Sequence, residues 1–322
     1  MSSTKQRHLL KQALVVAIVG GIAFFFWRAV RDNWAQIQQH DFELHPALLG
    51  ASFVAVVSAS LLPTYAWQLA LHGLSGRRDM TFANSVGAVN SSSLTKYLPG
   101  KFWSYALQMY WLAQSGYSKT LVLYVNLLNL VVSLLTGVLV AFVFLLFSGK
   151  FAWPLIAAGC ASLLVVEAAL FFFNADAFRL AARVVRRLFK RELSYIATSK
   201  ALLLRVHAVQ LLAQIVSGLG AYLICLGIGF DVGASTILLV MAALILSDTA
   251  GFLFFPVPGG IGVREATMYF LLQGQDSESL ALVLPLVSRA LYMAADVLLG
   301  AVALWLLKRT LRAAGTEPGA VS

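Results

Sequence analysis

Charge is what this sequence has least of: only 12% of its 322 residues are Asp, Glu, Lys or Arg, whereas 60% are hydrophobic. Long polar segments are missing too. The longest stretch without a convincing apolar run, residues 174–202, is far too short to fold as a catalytic domain, so any function must reside in the hydrophobic segments. Cysteine is limited to Cys160 and Cys225, both inside apolar runs, which excludes a disulfide framework and leaves two core thiols. The five histidines, His8, His40, His45, His72 and His207, have no ligand-like spacing, so neither a metal centre nor a cofactor is expected.

What the sequence has is apolar runs of about 20 residues, the length that crosses a hydrocarbon core as helix. They predict an all-α polytopic membrane protein, a single transmembrane domain over 1–322, with six full spans near 9–27, 46–72, 120–147, 152–173, 203–227 and 280–307. The first run follows Lys5, Arg7 and Lys11 but ends in "FFFWRAV" without a small-residue cleavage site, and so reads as a retained span. Two further segments, 83–113 and 235–272, are broken by Pro99-Gly100 and by Pro258-Gly259-Gly260 and read as re-entrant helical hairpins. Broken backbone at membrane depth is tolerated only where protein or a wet cavity surrounds it.

With this arrangement Lys5, Arg7, Lys11, Arg77, Arg78, Lys119, the cluster from Arg179 to Arg205, Lys308, Arg309 and Arg312 fall on one side, and only Arg28, Arg31 and Lys150 on the other. The positive-inside rule then puts both termini in the cytoplasm. The loop 174–202 carries Arg179, Arg183, Arg186 and Lys190 on one helical face, suited to the anionic inner leaflet.

An internal match at a constant offset of 159 residues gives the breaks a common origin. "LPGKFWSYALQMYWLAQ", Leu98 to Gln114, aligns without a gap to "VPGGIGVREATMYFLLQ", Val257 to Gln273. Two repeats follow, 83–147 and 235–307, each a hairpin plus a span. Three spans, 120–147, 152–173 and 203–227, lie between the two matched stretches, an odd number, so the second is inverted relative to the first. Inverted repeats with broken helices are the architecture of secondary transporters, with half-helix N-termini facing a site near the midplane.

The ionisable residues gather around those breaks. Lys96 and Lys101 flank the first tip, Asp248, Arg264 and Glu265 the second, and Arg289 and Asp296 share one face of the last span; Glu167 lies in the fourth. Such groups are costly in a bilayer and normally inward-facing and paired, as substrate ligands, proton relays or structural ion pairs. The candidate binding set is Asn90, Lys96, Pro99, Gly100, Lys101, Asp248, Pro258, Gly259, Gly260, Gly262, Arg264, Glu265, Arg289 and Asp296. Asn90 belongs to the polar run "NSVGAVNSSSLTK", which cannot face lipid. Arg289 and Asp296 are expected on the wall of one cavity, with Arg289 as the bidentate phosphate ligand.

At these motifs the chain resembles the flippase-like transmembrane domain of lysylphosphatidylglycerol synthases and its stand-alone relatives in bacteria and archaea. The resemblance rests on "LPGKFWSYALQMY", "FPVPGGIGVREA" and "SRALYMAADVLLG". In the second half Pro256, Pro258, Gly259, Gly260, Gly262, Glu265, Arg289 and Asp296 match. In the first, Trp103 and Ser104 stand where many relatives have a glycine and an acidic residue. The resemblance implies a carrier, not an enzyme, that moves an anionic phospholipid or a polyprenyl-phosphate-linked head group between leaflets of the bacterial cytoplasmic membrane. The aminoacyl-transferring module of the namesake enzymes has no counterpart here. A non-catalytic subunit scaffolding a lipid or glycan enzyme is the alternative, and a small-solute or ion transporter a third reading. Expected partners are the lipid, the membrane and either a second copy or a lipid-modifying enzyme, with no nucleic acid.

The inverted arrangement predicts that single cysteines at Asp231 and Ser277 react with an impermeant thiol reagent from outside intact cells, whereas one at Arg186 does not. Labelling of Ser277 only after lysis removes the inversion.

Overall fold

The structure, a computed structural model, describes residues 27, 31, 43–93, 103–172, 183, 198–254, 257–274 and 278–313. The expected first span, 9–27, the first hairpin tip with Lys96, Pro99, Gly100 and Lys101, and most of the basic loop 174–202 lie outside these residues.

The described residues form nine α-helices and no strand. They are α1 (Pro46–Ser75), α2 (Phe82–Ser93), α3 (Trp103–Gln114), α4 (Lys119–Ser148), α5 (Trp153–Phe172), α6 (Lys200–Gly227), α7 (Ala234–Leu253), α8 (Val263–Leu272) and α9 (Glu278–Ala313), with a short 3-10 turn at Pro258–Gly260. Six of them, α1, α4, α5, α6, α7 and α9, are long and apolar enough to cross a membrane. Five correspond to expected spans. The sixth, α7, was expected as one arm of a hairpin, and at 20 residues it also meets the length criterion for a crossing.

Helix ends follow local chemistry. Ser118 and Ser199 each accept a hydrogen bond from the third residue onward, Leu121 N–H and Leu202 N–H at 3.2 Å, and so start α4 and α6. Pro46 opens α1, where a missing N–H costs nothing, and Gly76 in the left-handed region closes it.

The bundle is held by close backbone approach. Along the antiparallel pair α1 and α6, His45 N–H donates to the Gly227 carbonyl at 2.9 Å, and Gly73 meets Leu202 at the other end. Small residues let helices approach where hydrophobicity alone gives no driving force. Gly87 likewise lays α2 on α9 beside Ala303 and Leu306. This contact fixes a geometry that matters for the site. α2 lies against the last turns of α9, whereas α8 lies against its early turns, around Pro285 and Arg289. One helix of each pair, α2 of α2–α3 and α8 of α7–α8, thus packs on an opposite half of α9.

One end of the bundle collects Arg77, Arg78, Lys119, Lys200, Lys308 and Arg309; the other has Lys150 with Glu43, Asp231 and Glu278. At the basic end a clasp joins the loop before α2 to the loop after α3. Arg77 pairs with Asp79, donates to the carbonyls of Ser115 and Gly116 at 3.1 and 3.2 Å, and stacks 4.3 Å from the centre of the Tyr117 ring. Tyr117 Oη donates to Asp79 at 2.5 Å. That hydrogen bond first, and Arg77 second, hold the Asp79 carboxyl below its ordinary range. Burial first, and the hydrogen bond to Asp79 second, push the Tyr117 phenol up to about 12.

The sign follows directly. A depressed carboxyl contributes above its ordinary pKa, about 3.9, and loses that contribution as pH falls through its lower folded value; a raised phenol loses its contribution as pH climbs past about 10. Asp79→Asn should therefore accelerate amide hydrogen exchange at 76–81 and 115–118 at neutral pH. The difference from wild type should shrink as pH falls below the ordinary carboxyl value of about 3.9 and Asp79 takes up its proton. Equal exchange in both proteins at neutral pH would show that the clasp holds nothing.

Candidate functional site

The second hairpin is built around glycine. α7 ends where Phe254 N–H closes the last turn on Ala250 at 2.9 Å, and the chain reverses through the 3-10 turn. Gly259, Gly260 and Gly262 take φ of +61°, +66° and +81°, a region that side chains with a Cβ rarely adopt. A Cβ on Gly260 would sit 2.8 Å from the backbone of Gly251, and a Cβ on Gly251 would sit 2.3 Å from Arg264 Cγ. The two glycines let the backbones touch, and the space at Gly251 lets Arg264 cross to α7.

Two ion pairs then lock the tip. Arg264 pairs with Asp248 on α7, and its guanidinium lies 5.4 Å from the centre of the Tyr292 ring on α9. Tyr292 Oη in turn shares a 2.6 Å hydrogen bond with Ser217 Oγ on α6. Glu265 accepts from Gly262 N–H at 2.5 Å through Oε2, and its Oε1 lies 3.5 Å from Arg289 Nε, with both side chains 11% exposed. The start of α8 therefore carries its own anion. This differs from the expectation of an open helix N-terminus: the tip glutamate takes that role from within the chain.

Arg289 also departs from expectation. It faces Glu265 in a void of about 10 Å³, room for a single water, with Ser247, Met268 and Ser288. Asp296, two turns on, lines a different and much larger space. Seven residues of helix return a side chain nearly to the same face, but Arg289 meets Glu265 of α8 while Asp296 opens onto the larger space.

That larger space is a cavity of about 420 Å³ at the level where the long helices have their middles. α1 contributes Ser60, Pro63 and Trp67; α4 contributes Asn126, Asn129 and Ser133; α6 contributes Gln210, Gln214 and Ser217. The last turns of α7 add Asp248, Thr249 and Phe252, the tip adds Arg264, and α9 adds Tyr292 and Asp296. The first hairpin reaches the same cavity through Val89 on α2 and Tyr105 and Gln108 on α3. Both helix pairs thus contribute to the wall of one chamber, in which polar side chains are set among apolar ones.

Of the candidate set, Asp248, Arg264 and Asp296 come together on the wall. Pro258, Gly259, Gly260 and Gly262 shape the tip, and Glu265 and Arg289 anchor it to α9. Asn90 is buried behind the wall, where it accepts from Thr64 Oγ1 at 3.1 Å. Glu167, on α5, does not line the cavity. The carboxamide wall was missed, although a signal existed: Asn126, Asn129 and Ser133, like Gln210, Gln214 and Ser217, recur at helical spacing inside otherwise apolar spans. Among the described residues no cluster of His, Cys, Asp or Glu is placed to hold a metal ion.

A protein-family model, described as the lysylphosphatidylglycerol synthase TM region, matches residues 12–312. No curated protein matches the chain.

Gly260 and Gly274 separate backbone strain from close approach, since Gly274 has φ of +70° but nothing within 4 Å of a Cβ. Gly274→Ala should cost about 1 kcal/mol from its backbone conformation alone. Gly260→Ala should cost about 1–3 kcal/mol more, because α7 and α8 must part. Thermal unfolding of the two purified variants in one detergent checks this; equal losses would mean that the Gly251–Gly260 contact is not needed.

Proposed function

Because the chain belongs to the lysylphosphatidylglycerol synthase TM region family, a multi-pass membrane family with a lipid-related role, we propose that it is a lipid carrier. In this reading it moves a phosphate-bearing head group between leaflets through the central cavity, with the acyl chains left in the bilayer. The observation that carries the proposal is Arg264: a guanidinium held at mid-bundle, on the wall of a chamber that both hairpins reach. A guanidinium can grip a phosphate bidentately, and a cavity between helices lets the polar head cross without entering hydrocarbon.

The inverted-repeat reading gains support from the placement of α2 and α8 on opposite halves of α9, and from the offset that maps Trp103–Gln114 onto residues 262–273, of which 263–272 are helical as α8. Re-entry of the second hairpin is supported by α8, which returns along α7 from a tip level with the middles of α1, α4 and α6. In this reading the basic end of the bundle faces the cytoplasm, the side that the positive-inside rule favours. Arg289 is reassigned within this proposal: it anchors the tip through Glu265, and Arg264 takes over as the phosphate ligand.

Purified protein in vesicles should speed exchange of a labelled phospholipid between leaflets. Arg264→Gln should slow it by at least about tenfold, the equivalent of one charge-assisted hydrogen bond, and Arg264→Lys should fall between. Recovery of wild-type exchange by Arg264→Gln with Asp248→Asn would make the arginine a mere counter-ion. Absence of exchange in the wild type would favour the scaffold instead.

A further inference from the structure

Arg264 is already occupied before any lipid arrives. Asp248 on α7 pairs with it, and the Tyr292 ring centre lies 5.4 Å from the guanidinium. Gly251 gives the arginine stem its place beside α7, since a Cβ there would sit 2.3 Å from Arg264 Cγ and 2.9 Å from Cδ. The guanidinium is therefore lodged against Asp248, and a phosphate entering the chamber meets a cation whose charge a carboxylate has balanced. Loading sets one anion against another.

Among the described residues, the titratable and charged groups on the chamber wall are Tyr105 from α3, Asp248 from α7, Arg264 from the tip, and Tyr292 and Asp296 from α9; α1, α4 and α6 supply amide, hydroxyl and apolar groups. Tyr292 lies within electrostatic reach of Asp248, Arg264 and Asp296, and Glu265 bears on Arg264 from the next position of α8 while it pairs with Arg289. A phosphodiester on Arg264 thus leaves two carboxylates, Asp248 and Asp296, beside a new anion. Where like charges crowd a partly buried site, one of them takes a proton. Asp248 is the one that has lost its partner.

We propose that Asp248 is a proton site coupled to lipid loading: the lipid phosphate takes Arg264, and the released Asp248 carboxylate takes up one proton from the side on which the lipid enters. Unloading reverses the exchange. The lipid leaves, Asp248 gives its proton to the water on the exit side, and its pair with Arg264 closes again. The chamber carries the same net charge empty and loaded, so neither state moves an added charge between the leaflets, and each phosphodiester crosses with one proton. This inference rests on the reading of Arg264 as the phosphate ligand of a carrier, and it supplies that carrier with an energy source, the proton gradient.

The test is binding of phosphatidylglycerol, whose phosphodiester keeps one charge throughout, to purified full-length protein in detergent over about pH 5 to 8. Uptake of one proton per lipid should raise the dissociation constant by up to about tenfold for each pH unit. Asp248→Asn should remove that slope and bind more tightly than wild type at the alkaline end, because an amide neither titrates nor holds Arg264 as an ion pair; Asp296→Asn should keep the slope. A pH indicator in weak buffer should report about one proton taken up per lipid bound by the wild type, a reading that needs no variant. A wild-type constant that is flat with pH overturns the inference, since Arg264 then holds phosphate and Asp248 together. So does a slope that follows sodium concentration instead, a slope lost in Asp296→Asn but kept in Asp248→Asn, or no binding at any pH. If binding takes up the proton while vesicles show no exchange, the carrier reading falls and the coupled site stands; if vesicles exchange lipid while binding is flat, the carrier stands and the coupling falls.

Discussion

A helix that stops inside a bilayer must satisfy its freed backbone groups from within the protein, because hydrocarbon offers no water to do it. Most of what is unusual around the second tip answers that demand. Glu265 accepts the Gly262 N–H at the start of α8, and the same carboxylate meets Arg289, so one side chain caps the helix and ties it to α9. Arg264 ties the next position to Asp248 on α7. The break is tolerated because each charge that stabilises it also fastens it to a neighbouring helix.

The same economy shapes the cavity. Its wall is assembled from the middles of α1, α4 and α6, where a soluble core would hold leucine, and the polar groups there bond first to their own helix and then to one another. Asn126 back-bonds to Val122 and also accepts from Trp67 Nε1 at 3.2 Å, linking α4 to α1. Such relays make the chamber a rigid surface of fixed polarity.

Much of the architecture was legible because membrane spans announce themselves by length and apolarity alone. The second hairpin was legible too, since only a positive-φ reversal needs the run Gly259-Gly260 followed by Gly262. The partnership of Arg289 was not. Helical spacing put it on the face of Asp296, but its pairing with Glu265 of α8 is a tertiary fact. The carboxamide wall escaped for a related reason: single Asn and Gln residues in spans are ordinary, and only the meeting of α4, α6 and α3 at one level makes them a set. α7 shows the converse limit, because 20 apolar residues satisfy the criterion for a crossing whether or not the chain turns back after them.

The clasp of Arg77, Asp79 and Tyr117 holds the outer ends of α2 and α3 together while their inner ends reach the chamber. It therefore acts as a fulcrum. Each arm is twelve residues, roughly 18 Å of helix, so a tilt of about 10° about the clasp sweeps the inner end through about 3 Å. That is the width of a hydrogen bond, and a lever of this length would convert a small rearrangement at the basic surface into the making or breaking of contacts where Tyr105 meets the chamber.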